Sequence, residues 1–519
     1  MVDATVTVGS EPLGVISPRI YGAFAEHLGR CCYGGLWVGV GSDVPNVDGF
    51  RTDVVEALRD LPTPLVRWPG GCYAEHYHWR GGIGPAEGRP GALGMSCGLK
   101  TPDTNALGTH EFLRFCKLIG AEPYLAGNVA TGSVQELCDW IEYVNSSTDS
   151  SLTRERAANG RPAPWGVKLW GVGNESWDCG GRFDPVTYAH EYRRFARMIR
   201  DVDPHVELVA VGQEDEPLPE SNLDPEWNAK FLRTLGPNAA LVDHLSIHRY
   251  WLRGGPEIDF DEADYYRLLD EADATEALIV RVRRTINAIA PSSHRIGIAL
   301  DEWGVWHPEA REWGPGDVPR RPPEGLEQAG TLRDALAAAI AFEGFHRQCD
   351  SLSMTNLAQV VNVLQAPIVT DGPNMARTPT YYALALHDAH VGANALPVRV
   401  ETAATPSGGP TVSATASIRS GAGNGPLGGA VTVVNRHFRE IASVEIRLAG
   451  WSGANASRAR LLCGDAPNAT NEPGKTERAF IRPIDADAGA GGTFRLVMPA
   501  CSMATIDFTT SGLDQRGGL

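Results

Sequence analysis

The feature that most constrains this chain is an alternation. Between residues 16 and 385, short β-branched or apolar runs take turns with stretches of helical period. Strands separated by helices pair in parallel, because each crossover helix returns the chain to the same end of the sheet. Eight runs read as strands: 18–25 (PRIYGAFA), 64–69 (PLVRWP), 122–128 (EPYLAGN), 165–173 (WGVKLWGVG), 206–212 (VELVAVG), 242–248 (VDHLSIH), 296–301 (IGIALD) and 350–356 (DSLSMTN). Helical patterns lie between them at 53–60, 107–119, 133–144, 185–201, 226–235, 271–289 and 329–347, several opened by Thr, Ser or Asp in capping position. Eight such units over roughly 370 residues predict an α/β fold, a (β/α)8 TIM barrel with long loops, rather than an open doubly wound sheet. No GxGxxG follows the first strand and no GxxxxGK[ST] occurs, so neither dinucleotide nor P-loop chemistry has support.

After residue 385 the period changes. Segments 396–403, 411–418, 430–436, 442–448, 458–463 and 493–508 alternate with Gly, Pro, Ser and Asn clusters, and long helical patterns vanish. That pattern predicts an antiparallel β-sandwich. The run ATVTV at 4–8 is strand-like and precedes the first barrel strand, so it is expected in the sandwich. The 519 residues therefore divide into a catalytic barrel over 18–385 and a sandwich domain over 1–17 plus 386–511.

Charge and cysteines narrow the partners. Lys and Arg number 46 against 63 Asp and Glu, a net charge of −17. Nucleic acid and anionic lipid both need a positive field, so neither is an expected partner. The opening residues lack a basic region and an apolar core of a secretory signal, and no run approaches ~18 apolar residues, so no membrane partner and a cytoplasmic location are expected. The ten cysteines show no CxxC pair and no repeated spacing, which speaks against a zinc ribbon or a disulfide framework and for most of them being reduced thiols.

Catalytic groups of such a barrel gather where its strands end. The strand ends here carry Glu26 and His27, Arg67, Asn128, Asn174 and Glu175, Gln213 and Glu214, His248 and Tyr250, Asp301 and Glu302, and Asn356 and Gln359. Glu175 in KLWGVGNESW and Glu302 in GIALDEWG each follow an apolar strand, where a carboxylate is costly unless paired or used. Glycoside hydrolysis needs two carboxyl groups flanking one bond, and strands four and seven lie far enough apart around the barrel to face each other across its mouth. Spacing alone leaves the pair open between that chemistry and buried structural ion pairs.

The blocks IYGAFAEHLGRCCYGGLW, VRWPGGCYAEHYHWRGGIGP, EPYLAGNVATGSVQE, GVGNESWDCGG, LSIHRYW, LDEWGVW and NLAQVVNVLQAPI, in this order, resemble the α-L-arabinofuranosidases of glycoside hydrolase family 51. The resemblance implies a barrel joined to a sandwich that takes in the N-terminal strand, retention through a covalent glycosyl-enzyme, no metal or organic cofactor, and a homo-oligomer, commonly a hexamer. By motif, Glu175 resembles the general acid/base and Glu302 the nucleophile. Asn174 resembles the ligand of the sugar 2-OH, and Glu26 and Gln359 the ligands of other furanose hydroxyls. Arg67, His248 and Tyr250 resemble the groups around the nucleophile, with Tyr250 also placed against the substrate.

Two departures are visible. Cys72 follows the GG of RWPGG where many relatives carry Asn, and reads either as a small buried filler or as a sugar contact. Segment 95–100 (MSCGLK) stands where similar proteins have an aromatic-bearing loop on the leaving-group side. His27 and Trp303 read equally as packing groups or sugar contacts, and Trp177 as a wall just past the acid. The function expected is a retaining, exo-acting α-L-arabinofuranosidase acting on arabinose-containing oligosaccharides. The alternatives are a β-D-xylosidase, galactofuranosidase or endo-glucanase of the same mechanism, or, in another class, a non-catalytic sugar-binding protein.

Overall fold

The computed structural model describes residues 1–214, 224–312, 314, 316, 326–419, 427–489 and 492–513. Eight parallel strands close into a barrel: β1 (Gly22–Phe24), β2 (Leu65–Trp68), β3 (Glu122–Gly127), β4 (Leu169–Val172), β5 (Glu207–Val211), β6 (His244–Trp251), β7 (Gly297–Val305) and β8 (Leu352–Ala358). The ring is sealed where β8 returns to β1, with Asn356 opposite Gly22. Leu65, Tyr124, Leu169, Val209, Ala299 and Met354, each from a barrel strand, form a small buried cluster of their own, the layer of side chains that fills the barrel's interior. At the opposite end from the mouth, Arg19 donates to Glu122 at 2.7 Å and to Glu207 at 2.6 Å, the first residues of β3 and β5.

The expected first strand is shorter than its apolar run. Residues Pro18–Tyr21 form a 3-10 turn, because Pro18 presets its start and the Ser17 hydroxyl accepts from Arg19 N. The helix expected over 271–289 begins earlier, at Glu262, where Asp261 caps it by accepting from Asp264 N. Segment 95–100 lies in a β-hairpin of Ala92–Ser96 and Leu99–Asp103. The expected strand 493–508 is two strands in different sheets, Thr493–Met498 and Ser502–Thr510. Pro499 cannot donate to a ladder, and Cys501 has φ 47°, so the chain turns from one sheet to the other there.

The sandwich stacks a five-stranded sheet on a seven-stranded one. Strand Val2–Val8 lies between Val398–Thr402, antiparallel, and Ala442–Leu448, parallel. Its alternate residues Ala4, Val6 and Val8 point into the sandwich core with Val431, Val433, Leu496 and Ile506. The barrel helix Leu332–Arg347 is buried along nearly its whole length, because one face packs on the barrel and another on the seven-stranded sheet.

Three histidines sit in that seam. The His346 imidazole bonds Tyr21 Oη at 2.6 Å and Thr415 Oγ1 at 2.9 Å, and His390 bonds Ser417 and Thr432. His387 Nδ1 donates to the Ala383 carbonyl at 2.8 Å. Burial holds all three below the usual histidine range, His387 down to about 4. A histidine whose folded value is depressed contributes stability that is complete above its unfolded value of about 6.5 and is lost as pH falls from there toward the folded value. Between about pH 7.5 and about pH 5, the wild type is expected to lose about 2 kcal/mol more unfolding free energy than a His387→Gln variant. Denaturant titrations at the two pH values check this, and equal losses in both proteins would refute it.

Candidate active site

The loops and strand ends at the barrel mouth bring the expected residues together around two carboxylates. On β7, Glu302 accepts from Arg67 Nη1 at 2.8 Å and from Tyr250 Oη at 2.8 Å, so both of its oxygens are held. The register of β6 against β7 explains the proximity. Beyond a shift between Ile247 and His248, His248 stands directly opposite Glu302. Arg67, 1% exposed at the end of β2, also donates to Asn174 Oδ1 at 2.5 Å and lies over the rings of Phe24 and Tyr124.

Glu175 follows β4 by way of Gly173 and Asn174, and its own backbone is left-handed at φ 37°. Such a conformation costs a non-glycine residue on the order of 1–3 kcal/mol and persists only where its surroundings impose it. Here the Glu175 carbonyl accepts from Asp178 N and Gly180 N. Gly180 is required by the closeness of that turn, since a Cβ there would lie 2.0 Å from the Asn174 carbonyl oxygen. The Glu175 side chain bonds His248 Nδ1 through Oε1 at 2.7 Å, and His248 Nε2 lies 3.3 Å from Asp301 Oδ1. One carboxylate oxygen of Glu175 and one of Glu302 lie within 4.8 Å of each other and of a His248 nitrogen.

These contacts set the protonation of the site. Burial alone would lower His248, but Glu302, Asp301 and Glu175 together raise it to about 10. Burial raises Glu175, opposed by His248 and assisted by Glu302. Burial would also raise Asp301, but Arg67, His248 and Ser246 hold it below the usual carboxylate range. Although Glu175, His248 and Glu302 are spaced like metal ligands, an imidazolium with both nitrogens turned to carboxylates offers no lone pair to a cation.

Glu26 and Gln359 form the opposite wall. Glu26 accepts from Tyr73 N at 2.9 Å and Ser96 Oγ at 2.6 Å, and from Gln359 Nε2 at 3.2 Å. Burial first, and Glu302 second, raise it to about 7. The glycines of RWPGG make room for it, because a Cβ on Gly70 would lie 2.8 Å from Glu26 Cγ and one on Gly71 2.9 Å from Oε2.

Cys72 corrects an expectation. It is neither a free thiol nor a filler but is bonded to Cys179, with Cα atoms 5.6 Å apart, while the other eight cysteines are free. The loops after β2 and β4 converge at the mouth, which joins residues 107 apart in sequence with no spacing signal. Disulfide sulfurs carry no proton, so their 4.0 Å and 3.6 Å approaches to Glu175 Oε2 are contacts rather than hydrogen bonds.

Asn128, Asn356 and Glu214 bond the scaffold through their side chains, whereas at Gln213 the backbone N–H and carbonyl do so. Asn128 caps the turn at Thr131 and Gly132, Asn356 donates to the Ala23 carbonyl, Asn228 side-chain oxygen accepts from Gln213 N, and Glu214 pairs with Arg249. His27 stacks on Tyr73 and accepts from Trp68 Nε1, and Trp303 packs among Trp251, Phe342 and Phe345, so both are packing groups. Trp177 donates to the Gly212 carbonyl just past Glu175. The motifs gave no role to three residues that the structure places here. Ser96 holds Glu26. Asp301 orients His248. Glu75 accepts from the backbone N–H groups of Asn174, Val129 and Ala130, with burial pushing it up to about 7.

Residues 57–251 match the family described as alpha-L-arabinofuranosidase 1 domain, and residues 301–502 the alpha-L-arabinofuranosidase C-terminal domain. The chain is 42% identical over 402 residues to an intracellular exo-alpha-L-arabinofuranosidase of Bacteroides ovatus, covering 76% of this chain and 74% of that protein. The chain belongs to the α-L-arabinofuranosidases of glycoside hydrolase family 51. Within the family, alpha-L-arabinofuranosidase C of Emericella nidulans is 32% identical over 485 residues, 90% of each chain. The crystal structure of the family 51 arabinofuranosidase from Xanthomonas axonopodis pv. citri superimposes with a TM-score of 0.88 at 33% identity, over 98% of this chain and 100% of that one.

The His248 contact is testable through titration. His248 lowers Glu175, so its removal leaves burial and Glu302 raising that carboxyl unopposed. In His248→Asn the alkaline limb of kcat/KM against pH for an aryl arabinofuranoside is expected to move to higher pH, with kcat/KM falling by about 10²-fold. A pH–rate profile with an unmoved or lowered alkaline limb would show that His248 does not govern Glu175.

Proposed function

We propose that this chain is a retaining, exo-acting α-L-arabinofuranosidase that releases terminal L-arabinofuranose from arabino-oligosaccharides by double displacement. The observation that carries the reading is that His248 joins the two carboxyl groups at the mouth of the barrel, its Nδ1 2.7 Å from Glu175 Oε1 and 3.6 Å from Glu302 Oε2, with one oxygen of each carboxylate within 4.8 Å of the other. A separation of about 5–5.5 Å between carboxyl groups suits attack by one of them, whereas inversion needs about 6.5–9.5 Å to admit a water. The relatives, among them an exo-alpha-L-arabinofuranosidase, support the substrate.

In the first step Glu302 attacks the anomeric carbon while Glu175 gives its proton to the departing glycosidic oxygen. Arg67 and Tyr250 hold the attacking carboxylate in one orientation. In the second step Glu175 takes a proton from water, which attacks the same carbon and returns Glu302 as a free carboxylate. Asn174, fixed by Arg67, serves the sugar 2-OH, and Glu26 with Gln359 serves other furanose hydroxyls. A non-catalytic sugar binder would have no use for two carboxyl groups placed so near each other on facing strands. We assign the catalytic unit to residues 18–385 and the sandwich unit to 1–17 plus 386–511. We place the working enzyme inside the cell as a homo-oligomer. The intracellular relative supports the location, and no helix among the described residues is long and apolar enough to cross a membrane.

A panel of p-nitrophenyl furanosides and pyranosides tests the sugar. Preferential cleavage of the α-L-arabinofuranoside is expected, and preference for a xyloside, galactofuranoside or glucoside would overturn the assignment. Glu302→Ala is expected to lose several orders of magnitude in turnover even with activated leaving groups, and added azide to restore rate with the opposite anomer in the product. Glu175→Ala is expected to cleave aryl arabinofuranosides far better than arabino-oligosaccharides and to accumulate the glycosyl-enzyme, seen by mass spectrometry. Near-normal turnover by Glu302→Ala would mean that another group attacks.

A further inference from the structure

Glu75 is a buried carboxyl group to which the two displacement steps give no part, and it lies where three strand ends meet. It is 0% exposed, in the 3-10 turn Cys72–His76 that follows β2. Its Oε2 accepts from Val129 N and Ala130 N at 2.7 Å each, just past β3, and its Oε1 accepts from Asn174 N at 2.6 Å, just past β4. Thr131 Oγ1 closes the same corner by donating to the Glu75 carbonyl at 2.8 Å. Removing a carboxylate from water is costly, and a neutral group would cap a turn at less cost. A carboxylate differs in one respect. It brings two acceptor oxygens and no donor, so it gathers three N–H groups without opposing any of them.

The backbone before Asn174 is shaped around this contact. Gly173 has φ 93°, and a Cβ there would lie 3.1 Å from Glu75 Oε1, so the chain passes the carboxylate at a distance that suits glycine. Asn174 is then held at two points, its N–H by Glu75 and its side-chain oxygen by Arg67 Nη2 at 2.5 Å. Glu175 has anchors of its own, with Asp178 N and Gly180 N on its carbonyl and His248 on its side chain. We propose that Glu75 is a positioning residue that fixes Asn174 from the backbone side, so that the Asn174 amide meets the sugar 2-OH in the transition state. The proposal rests on the reading of Asn174 as the ligand of that hydroxyl. Loss of the Glu75 contact falls on Asn174 rather than on Glu175. Because the 2-OH contact strengthens as the oxocarbenium-like transition state forms, the loss falls on kcat more than on KM.

Glu75→Gln is nearly isosteric and unhooks one donor selectively. With its oxygen toward Val129 N and Ala130 N it keeps those two bonds, and its NH2 group then opposes Asn174 N–H. Glu75→Gln and Asn174→Ala are compared with wild type on p-nitrophenyl α-L-arabinofuranoside and on its 2-deoxy analogue. On the parent substrate Glu75→Gln is expected to lose about 30-fold in kcat with KM within about twofold of wild type. On the 2-deoxy analogue its kcat/KM is expected within about threefold of wild type, because the contact that Glu75 serves is missing from both complexes. Equal losses on the two substrates, or an unchanged kcat on the parent, overturn the proposal. Should Asn174→Ala also lose equally on both, the 2-OH reading of Asn174 falls with it. Selective loss by Asn174→Ala beside equal losses by Glu75→Gln overturns the Glu75 role alone. Glu75→Asp, which keeps the charge at shorter reach, replaces Glu75→Gln if that variant does not fold, and the same dependence on the 2-OH is expected of it. Failure of both variants to fold makes Glu75 a folding group and overturns the positioning role.

Discussion

The site depends on one buried cation. Arg67 stands 1% exposed, and its guanidinium reaches Glu302, Asn174 and Asp301 at once. A charge removed from water this fully needs partners of opposite sign with good geometry, and each partner in turn needs the cation. Asp301 on β7 can stay ionised in the barrel interior because Arg67 and His248 face it. His248 can stay protonated because three carboxylates surround it. Remove the guanidinium and Asp301, Glu302 and Glu175 crowd together with a single positive neighbour. The strand-end carboxylates are therefore one electrostatic unit.

That unit was legible in the sequence to the degree that it lies on strands. A strand buried on both faces reads as an apolar run, and the first polar residue after it falls at the mouth. This places Arg67, Asn174, Glu175, His248, Glu302 and Gln359 correctly at one end of the barrel. It does not separate them from Asn128 and Asn356, which occupy equivalent positions and bond the scaffold. The difference lies in the direction of each side chain, which depends on turns that have no periodic signature.

Contacts made by irregular segments were not legible at all. Ser96 sits in a hairpin that has no Asn-Gly or Asp-Gly turn, and Cys97 takes the positive φ that such a dipeptide would advertise. Glu75 looks like any polar residue of a loop, yet its carboxylate gathers backbone donors from two separate strand ends. The Cys72 and Cys179 bond joins two loops that only the closed ring brings near. The short first strand is a case of local chemistry prevailing over pattern, with Pro18 and Ser17 starting a turn inside an apolar run.

The strand Val2–Val8 has a consequence for biosynthesis. Its two neighbours are Val398–Thr402 and Ala442–Leu448, so this segment waits for partners made far downstream of it. Throughout that interval the valines that alternate along it are uncovered, and both of its edges offer unpaired N–H and C=O groups. The barrel between can close while it waits, since the eight barrel strands pair only with one another. Nascent chains stalled between about residue 360 and about residue 440 would then carry a closed ring of eight strands with this adhesive strand unpaired, and holdase chaperones that recognise extended apolar strands would find their target there rather than at the point of growth.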